Sequence, residues 1–153
     1  MKTFDASLAW ERGAQPFSDQ RYSRAHVWEF DGGLSVPASS SPLSVPLPMS
    51  DPAAVDPEEA LVAAASSCHM LFFLSLAAAR GLVVDSYRDR ATGFLDTDER
   101  GRLSMTRIVL RPQIVFAGGA PDPDLLARLH HDAHARCYIA SSLRGEVVVE
   151  GGA

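Results

Sequence analysis

The stretch from Ala60 to Ala79 is almost uninterrupted apolar sequence, with Ser66, Ser67, Cys68, His69 and Ser75 as its clearly polar or reactive positions. Ahead of it stands Asp56-Pro57-Glu58-Glu59. Asp56 suits an N-cap, Pro57 the first helical position, and Glu59 the capping-box partner three residues on. Gly81, after Arg80, supplies a stop. A helix of this length and polarity could cross a bilayer. Its many small residues, the mid-segment His69 and the lack of a basic flank on one side predict instead a central core helix.

The other elements must be arranged around that helix. Thr3 to Trp10 alternates apolar and polar residues, and His26 to Phe30 and Leu34 to Val36 flank Asp31-Gly32-Gly33, which predicts a strand followed by a hairpin. Six prolines between Pro37 and Pro57 forbid regular helix or a central strand there. Val83 to Leu95 and Leu103 to Phe116 read as two long strands joined by the polar turn 96–102. Pro121-Asp122-Pro123-Asp124 opens a second helix ending near Cys137, and Gly145 to Glu150 closes the chain as a strand. The order βββ-α-ββ-α-β predicts an α+β fold, with helices on one face of a largely antiparallel sheet. With 153 residues, 46% of them hydrophobic, the chain reads as a single domain over 1–153.

The net charge is -5, and the 14 basic residues are scattered, which argues against nucleic acid or an anionic membrane as partner and favours a small neutral or apolar ligand. Met1 to Asp5 shows no signal peptide, so a cytoplasmic location is expected. In that reducing compartment two cysteines, Cys68 and Cys137, are more often free, catalytic or metal-binding than a staple.

A cysteine attacks as thiolate, and burial disfavours the thiolate. Cys68 lies in mid-helix, away from the helix N-terminus, so a reactive Cys68 needs a cation from elsewhere. Arg24, at the start of the second strand, is the first candidate and Arg21 the reserve. Leu71, Phe72, Phe73, Trp28 and Phe30 could line an apolar pocket, although most are expected to be core.

Two segments carry a family likeness. Asp56-Pro57-Glu58-Glu59 with Cys68 ten positions after Glu58, and Ala133-His134-Ala135-Arg136-Cys137 followed by Ser141-Ser142 and a terminal strand, resemble the OsmC/Ohr family of osmotically induced and organic-hydroperoxide-resistance proteins. The setting Arg21-Tyr22-Ser23-Arg24 departs from the family's glycine-rich surroundings for its arginine, and His69-Met70 after the cysteine departs from the hydroperoxide-specific branch.

The resemblance implies an OsmC-like fold, antiparallel sheets packed on two long helices, in an intertwined homodimer. It implies a thiol-dependent peroxidase with Cys68 reactive, Cys137 resolving, and Arg24 and Glu58 completing the site. It implies an organic hydroperoxide as substrate, an external dithiol of lipoyl type as reductant, and no cofactor. Glu58 and Cys68 are separated by about 15 Å along one helix axis. Antiparallel central helices of two chains would bring Glu58 of one near Cys68 of the other.

Two other readings stay open. His130, His134 and Cys137 share one helical face at i, i+4 and i+7 spacing and could form a zinc site, with Cys68 or His69 as fourth ligand. A non-enzymatic thiol sensor or small-ligand carrier on the same scaffold is the other. His69 points about 100° away from Cys68 around the helix and reads as a satisfied core or interface histidine.

Overall fold

The alternating N-terminal residues form β1 (Ala6–Ala9), which pairs antiparallel with β2 (His26–Phe30), and β2 pairs in turn with β3 (Ser35–Ala38). The structure is a computed structural model that describes residues 1–151. The chain forms two compact units, Met1–Ala60 and Leu61–Ala153.

In the first unit the Ser/Pro segment is an ordered loop stitched to the sheet edge through its backbone. Ser39 N–H donates to Val55 O at 3.0 Å, Val55 N–H to Pro37 O at 3.1 Å, and Arg24 N–H to Met49 O at 2.7 Å. These bonds satisfy backbone groups that the prolines keep out of regular structure. Little apolar side chain is buried: Ala38 and Ser39 are inaccessible, whereas Phe4, Leu8, Leu34 and Leu43 are exposed.

α1 (Pro57–Ala79) starts where the capping box predicts. Glu59 N–H donates to Asp56 Oδ1 at 2.7 Å, and Asp56 N–H reaches Glu59 Oε2 at 3.4 Å. Gly81, at φ 73°, follows its C-terminus in the left-handed conformation that glycine adopts without strain.

In the second unit each expected long strand is broken in two. Val83 to Leu95 becomes β4 (Val84–Asp89) and β5 (Thr92–Thr97), and Leu103 to Phe116 becomes β6 (Leu103–Leu110) and β7 (Pro112–Phe116). The hairpin expectation survives the break, because β5 pairs with β6 and β4 with β7, both antiparallel. Asp89 fixes the corner: its Oδ1 accepts from Arg111 N–H at 2.6 Å and its Oδ2 from Ser66 Oγ–H at 2.5 Å. Pro112, without an N–H, begins the next strand at a place where no ladder donor is needed.

α2 (Pro123–Arg136) is capped by Asp122, whose Oδ1 accepts from Asp124 N–H at 3.0 Å and Leu125 N–H at 3.3 Å. A short α3 (Tyr138–Ser142), not expected from the sequence, follows Cys137 directly. β8 (Glu146–Val149) pairs parallel to β6, a departure from the antiparallel rule of the other strand pairs.

Two apolar clusters hold this unit. Phe73, Leu76 and Ala77 of α1 pack with Phe116 of β7 and with Leu126, Leu129 and Ala133 of α2. Ala65 of α1 packs with Ile108 and Leu110 of β6 and Val147 of β8. α1 is long and apolar enough to span a membrane, but its buried residues Ala65, His69, Phe73 and Leu76 recur every three or four positions, the spacing of one packed face. The fold is α+β, as expected.

Candidate thiol site

Cys68 lies on α1, half-buried, and Cys137 is buried; both are free thiols. The two thiols are near enough that Cys68 raises the Cys137 thiol. Cys137 occupies the joint between two helices, as C-cap of α2 and N-cap of α3, with φ -67° and ψ 110°. Its Sγ accepts from Ala140 N–H at 3.4 Å, a sulfur cap at the start of α3. An aromatic contact ties the same segments: the ring of Phe72, one turn after Cys68, meets Tyr138 edge-on at 5.2 Å.

Burial, then the neighbouring Cys68 thiol, pushes the Cys137 thiol up to about 11, against a smaller opposing pull from the Ala140 amide. Cys137 is therefore held as a neutral thiol at physiological pH. Chemically the arrangement offers two neighbouring thiols, a half-exposed one on α1 and a buried, protonated one.

Next to Cys68 in sequence, His69 turns inward and is fully buried. Its Nε2 lies 3.0 Å from Nδ1 of His130, the rings nearly parallel at 7° and sharing one N–H···N bond. Phe73 covers the pair, its ring 4.6 Å from that of His130. Burial first, then His130 and His134, lowers His69 to about 4 against a smaller upward pull from Asp89; burial also lowers His130. Both imidazoles are thus neutral at physiological pH.

In the first unit Arg24 precedes β2 and is fixed along its length. Its backbone N–H donates to Met49 O, and its Nη1 donates to Gln20 O at 2.8 Å and to Tyr22 O. The guanidinium carbon sits 3.7 Å from the centre of the Tyr22 ring. Arg21 is exposed. Glu58, in the first turn of α1, is half-buried, and among the described residues its carboxylate has no hydrogen-bond partner.

A family model described as OsmC-like protein matches residues 50–151, two thirds of the chain, including both cysteines and Glu58. The chain belongs to the OsmC-like family. An OsmC-like protein of unknown function from Vibrio cholerae shares 51% identity with it, with 99% of each chain covered and a TM-score of 0.96. An OsmC-like protein from Mycoplasma pneumoniae shares 15% identity, covering 98% of this chain and 96% of its own, at a TM-score of 0.72. An organic hydroperoxide resistance protein from Elizabethkingia anophelis shares 16% identity, covering 99% and 94%, at a TM-score of 0.70. The last two likenesses show the fold. No curated protein sequence matches the chain significantly.

In this OsmC-like chain the zinc alternative loses its ligand set. His130 is buried against His69, His134 is exposed, and the Cys137 sulfur accepts from the Ala140 amide. Among the described residues no three His, Cys, Asp or Glu side chains converge as metal ligands would. The i, i+4, i+7 spacing fails because α2 ends at Arg136, and Cys137 has already left helical geometry.

Of the five residues that could line a pocket but were mostly expected to be core, Phe73 is core and Leu71 is exposed. A cavity of about 400 Å³ in the first unit is lined instead by Trp10, Phe17, Tyr22 and Arg24, among others. Sequence reasoning read Trp10 as a strand residue and gave no role to Phe17 or Tyr22; three aromatic residues within thirteen positions, just ahead of an arginine, were the available signal.

Proposed function

We propose that the chain is a thiol-dependent peroxidase that reduces organic hydroperoxides. The observation that carries this reading is the nearness of Cys68 to Cys137, a half-exposed thiol that raises a buried one. Membership of the OsmC-like family, with fold relatives named organic hydroperoxide resistance proteins, supports it.

The Cys68 thiolate attacks the distal oxygen of ROOH; the O–O bond breaks, a proton reaches the leaving oxygen, and ROH departs, leaving Cys68 as sulfenic acid. Cys137, held as thiol, attacks that sulfur; its proton and the sulfenic hydroxyl leave together as water and the Cys68–Cys137 disulfide forms. An external dithiol, of lipoyl type by family analogy, reduces the disulfide by exchange and becomes oxidised itself. Arg24 is assigned to stabilise the thiolate and Glu58 to orient Arg24. A cytoplasmic setting would keep both thiols reduced between turnovers.

The working form is a homodimer. The first unit buries very little apolar side chain while Phe4, Leu8, Leu34 and Leu43 stay exposed, a pattern that calls for cover by another surface. A second copy with its α1 antiparallel to the first is the arrangement that would serve Glu58 and Cys68 together.

The test is stopped-flow oxidation of reduced, metal-free protein by cumene hydroperoxide and by hydrogen peroxide, with intact-mass analysis of wild type and Cys137→Ser. Fast disulfide formation with the organic peroxide, and a trapped sulfenic acid in the variant, are expected. Thiols inert to both peroxides would refute the peroxidase and favour a ligand carrier.

A further inference from the structure

Arg24 rests on an aromatic stack that nothing in the peroxidase scheme requires. Tyr22 carries the guanidinium on its face, Cζ to centroid 3.7 Å. Phe17 stacks on Tyr22 at 4.6 Å and 21°, and Trp10 meets Tyr22 edge-on at 5.3 Å and Phe17 at 5.9 Å. The stack is itself tied down, because Trp10 Nε1–H donates to Ser23 O at 2.8 Å and Ser23 N–H donates to Gln15 Oε1 at 2.7 Å. Gln20, at φ 59°, takes the left-handed turn from which its carbonyl accepts from Arg24 Nη1–H.

The backbone on the far side is pinned as well. Trp28 Nε1 is a donor only, so His26 Nε2 must accept from it at 2.9 Å. The His26 proton therefore sits on Nδ1, which donates to Arg24 O at 2.8 Å. With Nη1 and one face of the guanidinium engaged, the edge formed by Nε and Nη2 has no partner among the described residues. That edge is the one with which arginine grips an anion through two parallel N–H groups.

We infer that Tyr22, backed by Phe17 and Trp10, is the positioning residue that fixes the Arg24 guanidinium with its Nε/Nη2 edge presented for an anionic sulfur or oxygen. Its functional consequence rests on the peroxidase reading. The aromatic cluster is not a cage for an external cation, since Arg24 already occupies the Tyr22 face. A flexible arginine would have to be ordered each time it met a thiolate; the stack orders it beforehand.

The experiment compares wild type, Tyr22→Phe, Tyr22→Leu, Arg24→Ala and the Tyr22→Leu/Arg24→Ala double variant. The first readout, independent of activity, is the Arg24 Nε–H resonance, assigned by its loss in Arg24→Ala. A resonance displaced by the ring current in wild type and Tyr22→Phe, and released in Tyr22→Leu, is expected; an unmoved resonance in Tyr22→Leu overturns the inference. The second is the pH profile of Cys68 oxidation by cumene hydroperoxide. Tyr22→Leu is expected to slow it about fivefold at neutral pH, the size of one cation–π contact, with Tyr22→Phe retaining the wild-type profile and the double variant no slower than Arg24→Ala. Equal losses in Tyr22→Phe and Tyr22→Leu, or additive losses in the double variant, overturn it. If Arg24→Ala itself leaves oxidation unchanged, the peroxidase role of Arg24 falls, and the resonance still decides whether Tyr22 positions it.

Discussion

His69 Nε2 and His130 Nδ1 stand 3.0 Å apart, joining the centre of α1 to α2 through a single hydrogen bond inside the core. Its length lies in the normal range for such a bond. One ring donates and the other accepts, so the pair is satisfied at this contact only while at least one imidazole is neutral.

That pair makes stability depend on pH. Both folded-state values lie below the ordinary histidine value of 6.5, His69 at about 4. Above pH 6.5 neither state binds these protons and stability is complete. As pH falls from 6.5 towards 4 the unfolded chain takes up protons that the folded one refuses, and stability falls. Urea unfolding between pH 7.5 and 4.5 should show this slope, and His69→Leu/His130→Leu should flatten it; an equal slope in both proteins would assign the effect to other groups.

Removing one ring alone should be costly. His130→Leu leaves His69 Nε2 buried without its partner, a change expected to cost about 2 kcal/mol in urea unfolding. A cost below about 0.5 kcal/mol would mean that the bond contributes little to folding.

The two thiols should be distinguishable by alkylation. Cys137 is buried and pushed up to about 11, whereas Cys68 is half-exposed. Iodoacetamide at pH 7.5 should modify Cys68 and spare Cys137 until the protein is unfolded, as peptide mapping would report. Early modification of Cys137 contradicts this order.

Gly145 should tolerate no side chain. A Cβ there would lie 2.2 Å from Met105 O and 2.7 Å from the carbonyl of Thr106, backbone atoms of a strand paired on both sides. At Gly93 a Cβ meets side chains instead, Val62 Cγ2 at 2.5 Å and Met105 Sδ at 2.7 Å, and the methionine can turn aside. Gly145→Ala should therefore cost more than about 2 kcal/mol and Gly93→Ala less; the reverse order of urea midpoints would refute the assignment.

The start of α1 was fully legible, because a capping box is a local device whose atoms lie within four residues of one another. The α+β class was legible for the related reason that the order of patterned segments carries it. The corner at Asp89 and Arg111 was not: alternation continues through it, and the break is made by a carboxylate twenty-two residues from the amide it binds. The His69–His130 bond escaped for the same cause, its partners lying on different helices. The parallel docking of β8 is likewise a tertiary choice, as its Val147-Val148-Val149 run suits either direction.

Cys137 carries a further implication through the geometry of its sulfur. The Sγ of Cys137 holds the first turn of α3 by accepting the Ala140 amide proton. A new bond from this Sγ to sulfur or oxygen would replace its S–H bond and reorient its lone pairs, which would weaken its hold on that amide. Were the thiol oxidised, that change would be transcribed into backbone order, and the exchange rate of the Ala140 amide proton would gauge what had happened at the buried sulfur.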